Sequence, residues 1–223
     1  MTWIKICGTT SERDADIAIR AGANALGFIM TKSPRQVSDT AAYSIGTVVP
    51  KGVETIGVFV NEELDTLVKT ARFCRFTGVQ LHGDEDAEYI KNLRTLLPGI
   101  KLLKAANVAT LANRNDLKPD AWLLDSGQGA QRGGTGERFN WREAQPVVKG
   151  LREPFIVAGG LKAENVQEAL TVLHPWGVDV VSGVESYPGR KHSGLVAQFI
   201  DAVRQFDAGA RDGQAAAQKG QRI

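Results

Sequence analysis

Two glycine-bearing pairs, Gly159-Gly160 after Ala158 and Ser182-Gly183, each close a short apolar run. Glycine lets a backbone N–H come close to an anion, so such corners suit an oxyanion such as phosphate. Glycines that merely turn the chain would leave the same letters; the anion reading rests on both pairs standing at equivalent places. Two other residues have the chemistry to move protons. Asp125 follows Trp122-Leu123-Leu124, where lost solvation favours the protonated, donating form of a carboxyl. Cys7 closes the run from Trp3 beside Gly8, and a thiol facing an electropositive pocket there is expected to be acidified into a base or nucleophile. The plainer alternatives are a rim salt bridge for Asp125 and a small buried hydrophobe for Cys7, the reading that Cys74 receives on its helical stripe. Arg35, in Thr31-Lys-Ser-Pro-Arg35, either forks onto a carboxylate or belongs to a solvated loop face. His82, ending Val79-Gln-Leu-His82, fits a hydrogen-bonded structural histidine better than a catalytic one.

These residues need elements to position them. Apolar runs recur around Ile4, Leu26, Ile56, Val79, Leu102, Leu123, Ile156 and Val180, about 25 residues apart, the length of one strand, one helix and two loops. Between them lie helical stripes: Leu64, Leu67, Val68, Ala71 and Cys74 behind Asn61 as N-cap; Val166, Ala169, Leu170 and Leu173; and Val196, Phe199, Ile200 and Val203. The fifth helix, around Leu111 to Leu117, is weak. Eight such units predict a single (β/α)8 barrel of the α/β class, with its site at the C-terminal ends of the strands. A doubly wound open sheet competes, but Cys7-Gly-Thr-Thr-Ser-Glu-Arg13 after the first strand lacks the glycine fingerprint of a dinucleotide site. In a barrel Gly159-Gly160 and Ser182-Gly183 fall at the ends of strands seven and eight, the recurrent phosphate corner. The stretch between Asp125 and Trp141 carries five glycines and reads as a mobile active-site loop.

The chain has 223 residues, 27 basic and 25 acidic, for a net charge of +2. Arg211, Lys219 and Arg222 against Asp212 supply that whole excess, so residues 1–207 are neutral. Neither a polybasic nucleic-acid binder nor an acidic disordered protein has this balance. Residues 1–207 are expected to form the barrel, and 208–223 to be disordered or at most a helical extension without a packed face. Two cysteines and no signal-like or membrane-length apolar segment predict a cytoplasmic protein without disulfides.

With these residues assembled, the chain resembles the phosphoribosylanthranilate isomerases of tryptophan biosynthesis. The likeness rests on Lys5-Ile-Cys-Gly-Thr9, Ser33-Pro-Arg35, Gly57-Val-Phe-Val60, Val79-Gln-Leu-His-Gly83, Leu124-Asp125 with Gly133-Gly-Thr-Gly136, Ala158-Gly-Gly-Leu161, and Ser182-Gly-Val-Glu185. It implies an Amadori rearrangement of N-(5-phosphoribosyl)anthranilate without metal or redox cofactor. Asp125 would be the general acid that opens the ribose ring and Cys7 the base at C2. Arg35 would hold the anthranilate carboxylate, and Gly159, Gly160, Ser182 and Gly183 the phosphate, with His82 a further candidate for substrate contact. The expected partner is thus a phosphorylated small molecule, not nucleic acid or membrane, for a monomer or homodimer. Val181, Thr31 and His192 depart from the family pattern, where serine, proline and aspartate are usual. The rivals are another phosphosugar isomerase, since Lys5, His82 and Asp125 stand where triosephosphate isomerase places Lys, His and Glu, and a non-catalytic phosphate-binding barrel. The histidine-pathway isomerase is a further relative, but aspartate would be expected at position 7.

Overall fold

The computed structural model describes residues 1–111, 116–125 and 139–220. Eight parallel strands close on themselves: β1 (Trp3–Cys7), β2 (Ala25–Ile29), β3 (Glu54–Phe59), β4 (Gly78–Leu81), β5 (Lys101–Ala106), β6 (Ala121–Leu124), β7 (Phe155–Val157) and β8 (Gly177–Val180). The seam pairs β1 with β8, Trp3 opposite Gly177 and Lys5 opposite Asp179. Closure excludes the open doubly wound sheet. Helices α1 (Glu12–Ala21), α2 (Asp39–Thr47), α3 (Leu64–Phe73), α4 (Ala87–Leu96), α5 (Val108–Leu111), α6 (Trp141–Val148) and α7 (Ala163–Leu173) follow the first seven strands in turn. After β8 come a 3-10 turn (Ser182–Val184), a small hairpin of β9 (Glu185–Tyr187) and β10 (Arg190–Lys191), and α8 (Ser193–Gly220).

Period-two alternation divides each strand between two cores. Ile4, Ile6, Leu26 and Phe28 face outward into a cluster with Phe199, Ile200 and Val203 of α8, while Trp3, Ala25, Ile56, Leu103, Leu123 and Ile156 form a separate cluster inside the barrel. Burying each large apolar side chain in these layers contributes about 1.5–3 kcal/mol. The floor of the barrel is aromatic. Trp3 stacks on Trp176 with ring centroids 5.0 Å apart, and the Lys101 ammonium lies about 5.5 Å from both rings.

Local chemistry starts and stops the helices where the site needs them. Ser11 caps α1 by accepting from the Asp14 N–H at 3.2 Å, and Gly22 ends it with φ +97°. The cap of α3 is Glu63, whose carboxylate accepts from the Thr66 N–H at 2.9 Å. The sequence had pointed to Asn61; that residue instead adopts φ +50° and its side chain accepts from the Asp84 N–H, tying the β3 and β4 ends together. Among the described residues α5 is a single turn. Helix α8 buries Val196, Phe199, Ile200, Val203 and Asp207, and exposes Ala208 to Arg211. Its backbone stays helical to Gly220, whereas the sequence reading left disorder and helix open there. Residues 126–138, on which the mobile-loop reading falls, and 221–223 lie outside the described residues.

Candidate active site

The inward face of β1 carries Trp3, Lys5 and Cys7. Gly27, opposite Cys7 on β2, makes room for the thiol: an added Cβ there would sit 2.5 Å from the Cys7 Sγ. Lys5 is fully buried inside the barrel, where its ammonium donates to Gln80 Oε1 and to Asp179 Oδ1, both at 2.9 Å. Burial penalises that charge, but the Asp179 carboxylate and the Cys7 sulfur outweigh the penalty and hold the Lys5 pKa above its ordinary value. Burial likewise pushes the Cys7 thiol up; Lys5 pulls it back, Asp179 adds to the rise, and the net direction is up. This corrects the expectation of an acidified thiol. Lys5 and Lys191 do oppose the rise, yet lost solvation at 3% exposure wins.

Gln80 links Lys5 to the other side of the mouth. Its Nε2 lies 2.8 Å from His82 Nδ1, and His82 Nε2 lies 3.8 Å from Asp125 Oδ2. Burial drives the His82 pKa down, against the pull of Asp125, so the imidazole is neutral at pH 7. Asp125, just past β6, is buried.

Arg35 is no solvated loop residue. It is buried and forks onto Glu185 of β9, Nε donating at 2.9 Å and Nη2 at 2.7 Å. Glu185 also receives the buried Lys191 ammonium at 3.1 Å and the Gly189 N–H at 3.2 Å. Lys191 donates further to the Cys7 carbonyl. One carboxylate thus joins the Arg35 loop, the β9–β10 hairpin and the end of β1. Burial lowers the Lys191 pKa despite Glu185, and the two cations hold Glu185 below the usual carboxylate range against its own desolvation.

The β7 and β8 ends meet in a narrow cleft lined by Asp125, Gly159, Gly160, Leu161, Asp179, Val181, Ser182 and Gly183. Gly159 and Gly160 take φ +77° and +62°, and a Cβ at Gly183 would collide with the Leu161 carbonyl. No hydrogen bond from the amides of these three glycines or of Ser182 to another described residue is made. Thus the glycine pairs and Asp125 share one cleft. His192, a departure from the family pattern, accepts from the Leu195 N–H at the start of α8. No cluster of three or more His, Cys, Asp or Glu side chains with metal-binding placement occurs among the described residues.

Sequence reading missed Gln80, Asp179, Glu185 and Lys191. The available signal was parity: Asp179 precedes Val181 by two residues, and Gln80 precedes His82 by two, so each pair shares an inward face.

A closed eight-stranded parallel barrel with a glycine-lined cleft at its β7–β8 corner places the chain in the class of (β/α)8 barrels with a phosphate-type corner. A family model described as N-(5'phosphoribosyl)anthranilate (PRA) isomerase matches residues 4–202, and the chain belongs to that family. N-(5'-phosphoribosyl)anthranilate isomerase of Moorella thermoacetica is 41% identical over 208 residues, covering 93% of this chain and 92% of the relative. Its counterpart from Citrifermentans bemidjiense is 43% identical over 207 residues, covering 92% and 98%. The crystal structure of phosphoribosyl anthranilate isomerase from Thermotoga maritima superposes with a TM-score of 0.82 at 34% identity, over 92% of this chain and 100% of the other. A phosphoribosyl anthranilate isomerase in complex with reduced 1-(o-carboxyphenylamino)-1-deoxyribulose 5-phosphate gives 0.79 at 33% identity, with the same coverage.

Proposed function

We propose that this chain catalyses the Amadori rearrangement of N-(5-phospho-β-D-ribosyl)anthranilate to 1-(2-carboxyphenylamino)-1-deoxy-D-ribulose 5-phosphate, in tryptophan biosynthesis. The observation that carries the reading is one barrel mouth holding a buried thiol, a buried carboxyl and a cleft whose glycine and Ser182 amides donate to no other described residue. The amides of Gly159, Gly160, Ser182 and Gly183 take the phosphate, and Arg35, steadied by Glu185, takes the anthranilate carboxylate. Asp125 gives its proton to the ribose ring oxygen as the C1–O bond breaks and the C1–N iminium forms. The Cys7 thiolate then removes the C2 proton, and the electrons of that C–H bond neutralise the iminium as an enolamine. Tautomerisation to the ketone follows. C2 is oxidised as C1 is reduced, so the reaction balances without an external oxidant or a metal. Asp125 ends as carboxylate and Cys7 as thiol, and proton exchange resets both.

Lys5 opposes the desolvation of the thiolate and so favours the base form of Cys7. Its bonds to Gln80 and Asp179 keep it below the mouth, which argues against the role of a substrate-contacting lysine that a triosephosphate-type isomerase requires. Residues 1–207 form the catalytic barrel in this reading, and 208–223 an extension. Both free cysteines are buried and no described helix is long and apolar enough to cross a membrane, in keeping with a cytoplasmic enzyme. The chain acts as a monomer or homodimer; a Thermotoga maritima relative is described as dimeric.

The test follows the fluorescence of phosphoribosylanthranilate generated in situ. Its enzyme-dependent disappearance, abolished in Asp125→Asn, is the expected result. Binding of substrate without turnover by correctly folded wild-type protein would leave a phosphate-binding barrel instead.

A further inference from the structure

Three contacts in the barrel interior decide where the proton of one imidazole sits. A lysine ammonium only donates, so the Gln80 atom 2.9 Å from Lys5 Nζ is the carbonyl Oε1. The Gln80 amide nitrogen therefore faces His82 Nδ1, at 2.8 Å. That nitrogen also only donates, which makes Nδ1 the acceptor and leaves the single ring proton on Nε2. Nε2 is the atom that faces Asp125, 3.8 Å from Oδ2. Asp179 accepts a second bond from Lys5 and holds the first donor of the series in place. The charged groups around the ring are Asp125 and Asp179 on one side of the balance and Lys5 and Lys104 on the other. The ring itself is nearly enclosed, its side chain 13% exposed.

We propose that His82 and Gln80 are positioning residues for the proton transfer: Lys5 orients Gln80, Gln80 locks His82 as the neutral Nε2–H tautomer, and that N–H stabilises the carboxylate which Asp125 becomes. The inference rests on Asp125 being the acid of the proposed reaction. In the transfer the Asp125 O–H bond breaks and the sugar O–H bond forms, the electron pair staying on Asp125; the His82 N–H bond remains intact. Negative charge thus appears on Asp125 with the Nε2 donor 3.8 Å from Oδ2, near enough to close to hydrogen-bond length as the charge forms. An imidazole with the opposite tautomer would turn a lone pair towards the new charge and oppose the step. This assigns His82 a role through Asp125 rather than as a substrate ligand.

The test reads the tautomer and the kinetics separately. Long-range proton–nitrogen correlation spectra of histidine-labelled, ligand-free enzyme at pH 7 should show His82, identified by its loss in His82→Gln, with Nε2 protonated and Nδ1 bare. Gln80→Glu preserves size and the Lys5 contact but places an acceptor against Nδ1. It should move the ring proton to Nδ1 and lower kcat about ten- to hundredfold with KM nearly unchanged. His82→Gln, which keeps an N–H donor at similar reach, should retain far more kcat than His82→Leu; equal losses would overturn the proposal. So would an Nδ1–H or doubly protonated ring in the wild type, an Nε2 that keeps its proton in Gln80→Glu, or a moved proton with unchanged kcat. The spectra need no turnover, so an inactive wild-type protein would count against the isomerase reading alone.

Discussion

In the proposed reaction Asp125 gives a proton and Cys7 takes one. Asp125→Asn keeps the shape of the carboxyl but has no acidic proton to give. It should lower kcat about a hundredfold or more while KM changes little, which steady-state kinetics on phosphoribosylanthranilate will read. For Cys7 the burial that raises the thiol makes thiolate scarce near neutrality. The base form gains with rising pH, so kcat/KM, which reports the free enzyme, should climb through pH 7 and level only above the ordinary thiol value of about 8.5. A pH–rate profile already flat at pH 7 would show that Cys7 is not the base titrating there. The two residues were legible in the sequence because each is a lone reactive group ending an apolar run. Lys5 was legible as a lysine on the first strand, but its partner Asp179 was not, because the two stand far apart in the chain and meet only when β1 closes on β8.

At the scale of elements, the β9–β10 hairpin links the β8 end of the cleft to the Arg35 loop. It starts at the 3-10 turn that carries Ser182 and Gly183, and through Glu185 it holds Arg35 and Lys191. Glu185→Gln leaves two buried cations short of their carboxylate. It should cost about 3 kcal/mol in chemical denaturation and raise KM by loosening Arg35. The hairpin escaped the sequence reading because its strands are two and three residues long and lie outside the barrel rhythm, whereas the eight strands repeat an apolar run that both cores demand. A second tie joins the chain's beginning to α8. Asp207 accepts from the Thr2 N–H and hydroxyl, the latter at 2.7 Å, and from Arg204. These donors hold its pKa below the usual aspartate value despite partial burial. A depressed carboxyl stabilises the fold above the unfolded pKa of about 3.9 and loses that contribution as pH falls through the lower folded value. Asp207→Ala should therefore cost about 1 kcal/mol at pH 7, and thermal melts of mutant and wild type should converge in strong acid.

For the whole molecule, the net charge of +2 belongs to residues 208–223, while residues 1–207 are neutral. In the proposed function, capture of a doubly anionic substrate therefore falls to local amides and Arg35, not to a general positive field. Deleting residues 208–223 should lower the isoelectric point and leave KM nearly unchanged; a large rise in KM would assign the extension a part in binding. Asp207 is the last buried position of α8 among the residues whose burial is described, and the cut falls directly after it. The Trp3–Trp176 stack on the barrel floor has an optical consequence. Trp3 belongs to the first strand and Trp176 directly precedes the last, so the indoles approach to 5.0 Å only when the two ends of the chain have been zipped together. Ring systems that near, 19° from parallel, couple their electronic transitions. An exciton couplet in the circular dichroism would therefore serve as a built-in clock for seam closure, separating a cylinder that has shut from a curled sheet that has not.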